Sequence, residues 1–471
     1  MMTAATRHFG RETGQLFEVY MLKEMIDRSE LGENGCHKAK VRKKNVYIQA
    51  RRLIMLTYIR NIRNRHYVIL VLFASIYLFN AMCSSRPDEA GPAIRNVYGQ
   101  AYSGSAACQT CHKEIFNNFT QTAHYRDSRP ASGKTILGSF DSGRNRFIYQ
   151  GGPAVAMERK DSGFFETAYR DGHQYRTAPI DIVIGSGRKG QTYLYWNDEK
   201  LFQLPVSYFT PLDCWCNSPG YTIDSPLYDR RVPAQCLECH ATNARTVFRN
   251  NAEYGDFFDK SQLMFGIDCE KCHGPGAQHV AFQTANPTET TGRYIVNTGR
   301  LTRQQKLDAC ALCHSGSRIP LKPAFSFRAG DTLNQFSEAK YNLANGPNRT
   351  NGSTLDVHGN QYGLLSSSKC FMNSQMDCGS CHNVHANEAG NVKLFSQRCM
   401  NCHNPTTHDT CTVKVTTGLV LSNNCIDCHM PALPSQRIIL ALSNSRNAGG
   451  TANTGKSVNN LVRTHHIAIY K

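Results

Sequence analysis

The sequence predicts a chain of mainly short α-helices and irregular loops, with a small antiparallel β subdomain, packed around something besides its own side chains. Three observations predict it. Hydrophobic residues are 40% of 471, a thin supply for side-chain cores alone in so long a chain. The pattern C-x-x-C-H recurs seven times, at intervals from 21 to 128 residues. The longest interval holds partly alternating β-branched and aromatic segments, while the others are rich in Gly, Asn and Pro. There is no glycine period, no sustained heptad and a single long apolar run, which excludes collagen, coiled coil and polytopic membrane protein. Aromatic residues at 10% exclude wholesale disorder.

The apolar run is Tyr67–Met82, preceded by Arg60, Arg63 and Arg65 and followed by Cys83, Ser84 and Ser85. A positive flank, an apolar core and small residues read as a secretory signal, and 16 residues is short for a membrane span. Met55 stands 28 residues before Cys83. Residues 55–82 therefore form a signal or anchor segment, and residues 1–54 are either an over-called start or a basic cytoplasmic extension. Cys83 is the lipidation candidate; simple cleavage nearby and an uncleaved anchor are the other readings. Residues 83–107 are a linker. The expected location is exported, periplasmic or at the cell surface, and membrane-tethered, with the arginine-rich side in the cytoplasm.

Residues 108–235 hold the first motif and the β-rich subdomain. Arg146–Gln150, Phe164–Tyr169, Asp181–Ile184, Thr192–Trp196 and Leu201–Tyr208 read as strands. Lys160-Asp161-Ser162-Gly163 and Asn197-Asp198-Glu199-Lys200 read as hairpin turns. Residues 236–471 form a helical and irregular domain carrying six motifs, with loops at 343–354 and 443–457.

Fourteen of the 20 cysteines lie in the motifs. These are Cys108/Cys111/His112, Cys236/Cys239/His240, Cys269/Cys272/His273, Cys310/Cys313/His314, Cys378/Cys381/His382, Cys399/Cys402/His403 and Cys425/Cys428/His429. On a helical turn, positions i, i+3 and i+4 share one face. Two thiols can then reach the two vinyl groups of one porphyrin, and the histidine presents its imidazole to the iron. The pattern is the attachment signature of c-type haem, so seven covalent haems are expected, with the seven motif histidines as proximal ligands. Zinc sites of this type combine C-x-x-C pairs two by two, and seven is odd. Disulfide frameworks belong mostly to shorter chains and give no reason for the histidine.

The net charge is +17, of which residues 1–82 carry +8. The other 389 residues carry +9 without a dense basic stripe. Two ionised propionates per haem would bring that part to about −5, so no nucleic-acid partner is expected.

Three further histidines, His8, His37 and His66, fall before the exported part. Eight remain for seven irons. His124, His173, His279, His358, His385, His408 and His465 are the distal candidates, with His466 the spare beside His465. His385 follows His382 by three residues, a span of at most about 10 Å, too short to round a porphyrin edge. It should ligate a neighbouring haem, and so should His279 and His408. Met430 is too close to its motif to serve the same iron, so low-potential bis-histidine haems are expected. Cys370 and Cys411 bracket two motifs and could form a bridge; Cys214 and Cys216 flank Trp215, and a bridge between them would be a strained small ring.

The stretch Gly104–His124 (GSAACQTCHKEIFNNFTQTAH) resembles the first-haem region of multihaem cytochromes related to the tetrahaem cytochrome of ammonia oxidisers and to hydroxylamine oxidoreductase. Cys269–His279 (CEKCHGPGAQH) is similar to another recurrent piece of that group. The resemblance covers much of 104–471, with the β insertion outside the simple tetrahaem pattern. It implies His124 and His279 as distal ligands, stacked and perpendicular haem pairs, and electron transfer outside the cytoplasm. Some members of the group are enzymes. Two classes therefore compete. One is an electron carrier whose partners are other redox proteins, cytochromes among them. The other is a multihaem oxidoreductase acting on a small nitrogen or sulfur compound at one five-coordinate haem, which needs an open iron and nearby acid–base groups. No C-x-x-C-K motif is present and the histidine inventory leaves no iron open, so the carrier is favoured and no catalytic residue is assigned.

Overall fold

The computed structural model describes residues 93–249, 255–339, 355–404, 423–442 and 457–470. The signal segment 55–82, Cys83, His408 and Cys411 lie outside them. The architecture is mixed, with 25% helix and 28% strand, which corrects the expectation of a mainly helical and irregular chain. The physical reason is that a haem-attachment motif needs only one helical turn, and much of the chain between motifs satisfies its backbone by pairing as strands.

Helices α1 (Ser105–Gln109) and α2 (Lys113–Phe119) carry and follow the first motif. Ten strands come next: β1 (Ser128–Pro130), β2 (Arg146–Ile148), β3 (Ala154–Lys160), β4 (Gly163–Arg170), β5 (His173–Pro179), β6 (Ile182–Ile184), β7 (Gly190–Asn197), β8 (Lys200–Gln203), β9 (Val206–Phe209) and β10 (Cys214–Asn217). One antiparallel sheet has the order β2-β3-β4-β5. A second, six-stranded, has the order β1-β6-β7-β9-β10, with β8 also on β7. The expected turn at 160–163 closes β3 onto β4 and that at 197–200 closes β7 onto β8. The β4–β5 turn is Asp171-Gly172, both at positive φ (52° and 81°), as a two-residue hairpin of this hand requires. Strand β3 (AVAMERK) is built from helix-favouring residues, and its cross-strand pairing overrides that preference.

The two sheets pack face to face. Phe147, Val155, Met157 and Ala168 from one meet Tyr193, Val206, Tyr208 and Trp215 from the other in a single core. Residue alternation then decides what the outer face of the second sheet carries. Ile182, Ile184 and Leu194 point away from the sandwich and bury Ala234 and Leu237 of helix α3 (Ala234–His240), which bears the second motif. The sandwich is thus the platform on which that motif stands.

Beyond it come β11 (Ala241–Thr246) and β12 (Phe258–Phe265), α4 (Cys269–His273), α5 (Ala277–Ala285) and α6 (Arg303–His314). Thr302 and Gln305 form a reciprocal capping box at the start of α6. The hairpin β13 (Arg318–Pro320) and β14 (Ser337–Ala339) follows, then α7 (Gln361–Ser366), α8 (Lys369–Met372), α9 (Val392–Met400) and α10 (Ile426–His429). A final hairpin of β15 (Ala432–Ala441) and β16 (Ser457–Arg463) packs Leu440 and Val458 against Phe209 and Cys216. None of the three apolar clusters among the described residues draws a side chain from 355–429, the stretch that holds three motifs. Among the described residues no helix is long and apolar enough to cross a membrane.

Candidate haem-attachment site

Each motif is built on a turn of helix. The N–H of His112 donates to the Cys108 carbonyl at 2.8 Å, and His382, His403 and His429 donate likewise to Cys378, Cys399 and Cys425 at 2.9, 2.9 and 3.0 Å. The second, third and fourth motifs end α3, fill α4 and end α6. The i to i+4 bond puts both thiols and the imidazole on one face.

Motif histidines meet candidate distal histidines from elsewhere in the chain. Ring centroids of His314 and His124 stand 6.0 Å apart, those of His273 and His385 6.1 Å, and those of His382 and His465 6.2 Å. Metal–nitrogen bonds of about 2 Å, with each centroid roughly 1 Å behind its nitrogen, separate two imidazoles on one metal by about 6 Å. The donor set fits an iron held between two histidines. Protonation points the same way. Burial, then the facing partner, holds His124 and His385 below the usual histidine range, and the same causes push His465 down to about 4. They are neutral, as metal ligation needs. Burial likewise lowers His358, with the charge of His240 adding to it against that of Asp356.

The ring nitrogens that face away from such a metal are also engaged. Nδ1 of His273 bonds the Val296 carbonyl at 2.9 Å and Nδ1 of His279 the Arg293 carbonyl at 2.8 Å, so one short loop orients two imidazoles. Tyr294 in that loop sits at φ 59°, a strained conformation for an aromatic residue. Nδ1 of His314 faces Gln361 Oε1 at 3.1 Å, and Nδ1 of His429 the Ala468 carbonyl at 3.0 Å. His240 differs: its Nδ1 meets Asp127 Oδ2 at 2.8 Å. Burial opposes its charged form, the Asp127 carboxylate more than offsets this, and His240 is pushed above the usual histidine range.

The segment 124–128 links several motifs. The His124 carbonyl accepts from Ile267 N at 2.9 Å. Ser128 Oγ donates to the His240 carbonyl at 2.5 Å and accepts from Gly266 N at 2.8 Å. A Cβ on Gly266 would lie 2.3 Å from the Tyr125 carbonyl oxygen, so glycine is required for that approach.

Motifs also touch one another through their thiols. Cys108 hydrogen-bonds Cys269, Cys239 bonds Cys313, Cys310 bonds Cys378, and Cys399 bonds Cys425. Glu270, inside the third motif, fastens the first. Its Oε1 accepts from Ser103 N at 2.9 Å and Gly276 N at 2.6 Å, and its Oε2 from Gly104 N at 2.8 Å.

Not every motif cysteine is drawn inward. Cys111 and Cys428, the second thiols of the first and last motifs, are exposed, as are Cys236, Cys272 and Cys402. This departs from the expectation of a chain packed all round its haems. The physical reason lies in the local fold. Cys111 sits in the turn between α1 and α2, and Cys428 in the four-residue helix α10. Neither residue belongs to an apolar cluster that would cover it.

Other expected residues fall elsewhere. His173 is exposed at the start of β5, opposite Arg170, in the sheet that bears no motif. Cys214 and Cys216 lie two apart on β10. Extended spacing holds their Cα atoms about 6.6 Å apart with parallel Cβ vectors, so they remain thiols. Sequence reasoning missed Asp127, Glu270 and the 293–296 loop. An acid inside C-x-x-C-H, or three residues past a histidine, carries no signal until the fold sets it against its partner.

The family model described as "Cytochrome c554 and c-prime" matches residues 223–274, which span the second motif and the third. The multiheme cytochrome MtrA of Shewanella baltica (strain OS185) is 22% identical over 208 residues, 43% of this chain and 54% of that protein. The C-type polyheme cytochrome OmcC of Geobacter sulfurreducens is 26% identical over 170 residues, 31% of this chain and 20% of that protein. The chain thus spans about half of one curated relative and a fifth of the other. No solved structure matches. These likenesses meet an attachment chemistry already built into the fold, and the chain is a multihaem c-type cytochrome.

Proposed function

We propose that the chain is an exported heptahaem cytochrome that transfers electrons between redox partner proteins, other cytochromes among them, with every iron held between two histidines. Haem c supplies an iron that gains and loses one electron while covalently attached. The observation that carries the reading is the pairing of His314, His273 and His382 with His124, His385 and His465. Both axial positions of three irons are then filled by protein, which leaves no coordination site for a substrate. His240 takes His358, whose charge reaches it. His279, His408 and His466 remain for His112, His403 and His429, and exposed His173 is left over. Cys111 and Cys428 stay in this reading as thioether positions. Their place in the motifs supports it, and a covalent bond to haem does not need the sulfur covered.

The residues also give the motifs an order. Thiol contacts join first to third, second to fourth, fourth to fifth and sixth to seventh. The charge of Cys272 reaches Cys310, and that of Cys402 reaches Cys381, closing the gaps from third to fourth and fifth to sixth. The resulting line runs first, third, fourth, fifth, sixth, seventh, with the second motif beside the fourth. Attachment to the membrane at Cys83 belongs to the same proposal. Mass spectrometry of denatured, fully matured protein tests it: seven haem additions are expected, and five or fewer overturn it. The reduced protein is expected not to bind carbon monoxide.

A further inference from the structure

Of the four motif histidines whose Nδ1 partners are described, three face neutral oxygens: the Val296 carbonyl, the Gln361 amide and the Ala468 carbonyl. His240 faces a carboxylate, Asp127 Oδ2, at 2.8 Å. Asp127 is fixed from both sides. Its N–H donates to the His124 carbonyl at 3.1 Å, and its carbonyl accepts from Gly185 N at 2.5 Å, on the loop after β6. The next residue, Ser128, grips the His240 carbonyl. The guanidinium of Arg129 is near enough to feel the Asp127 charge, while the carboxylate's hydrogen bond goes to His240.

A carboxylate that accepts the Nδ1 proton draws it away from the ring and makes the imidazole a stronger electron donor. A stronger axial donor favours the oxidised iron and lowers its potential. The neutral oxygens facing the other three histidines do this less.

We infer that Asp127 tunes the haem held by His240, making it the lowest-potential haem of the chain. This rests on the reading of His240 as an axial ligand. It also gives the second motif a role suited to its place. That motif joins the line at the fourth motif, through Cys239 and Cys313. A low-potential site there is the last to take an electron as the surroundings become more reducing, so it stands as a side station off the path between the ends.

The test is a spectroelectrochemical titration of the full, haem-loaded chain as wild type, Asp127→Asn and Asp127→Glu. Asn keeps the shape and removes the charge. The most negative component of the titration is expected to move to higher potential in Asp127→Asn while the others hold, and to return toward wild type in Asp127→Glu. One low-spin resonance should shift with it. An unmoved most-negative component, or a uniform shift of all components, overturns the inference. Haem content is measured by mass in each variant. If Asp127→Asn loses a haem, Asp127→Glu decides. Full haem content with the negative component kept supports the inference, and full content with that component lost overturns it. Failure of the underlying bis-histidine reading shows separately, as a high-spin iron in the wild type.

Discussion

The ring of His385 lies 6.1 Å from that of His273 and within 16° of parallel to it, although His385 follows His382, in another motif, by only three residues. Three residues reach at most about 10 Å, so His385 serves its neighbour's iron and ties the third and fifth motifs together. His385→Ala should leave haem content unchanged and convert one low-spin iron to high-spin, with carbon monoxide binding on reduction. Unchanged resonance spectra would contradict the assignment.

The two histidines that exchange places between sequence and structure make a paired comparison. His173 is exposed on a hairpin, whereas burial lowers the proton affinity of His466 and its ring faces Tyr470. His173→Ala should have no effect on the haem spectra, and His466→Ala should produce one high-spin iron. The reverse pattern, read by the same resonance measurement, would restore His173 as a ligand.

Glu270 takes three backbone N–H groups from two segments. Each buried donor left without an acceptor costs about 1–3 kcal/mol, so Glu270→Ala should lower stability by about 3 kcal/mol or more and loosen the first motif against the third. Thermal unfolding of the loaded protein checks this as a Tm lower by several degrees. A Tm within a degree of wild type would contradict the clamp.

Glu166 is fully buried in the sandwich, with Oε1 unpartnered and Oε2 accepting from Val206 N. Burial pushes its carboxyl well above the ordinary range. A carboxyl raised in the folded state contributes its full stability below the unfolded value of about 4.3 and loses it as pH rises. Glu166→Gln removes that loss. The Tm of the variant relative to wild type should therefore climb steadily with pH above about 4; parallel curves would show that Glu166 is not held protonated.

Much of the attachment chemistry was legible because it is local. Seven C-x-x-C-H motifs fix thiols and imidazole within one helical turn, and the turns at Asp161-Ser162 and Asp198-Glu199 follow from their residue types. What the sequence hid was non-local. Strand β3 reads as helix-forming and is held by β2 and β4. The match of His124 to His314 spans 190 residues, and Asp127 acquires meaning only once β6 and the outer face of its sheet bring α3 beside it. The exposure of Cys111 and Cys428 was hidden too, since it depends on what packs over a motif rather than on the motif itself. The mainly helical expectation failed for the same reason. Motif spacing says where haems attach and is silent on how the chain between them pairs.

Low-temperature electron paramagnetic resonance of the oxidised, haem-loaded chain tests the central claim most directly. Iron held between two histidines is low-spin, so the account predicts low-spin ferric signals throughout, unchanged by nitrite or hydroxylamine. A high-spin ferric signal that disappears when either compound is added, with turnover, would contradict it and make the protein an enzyme.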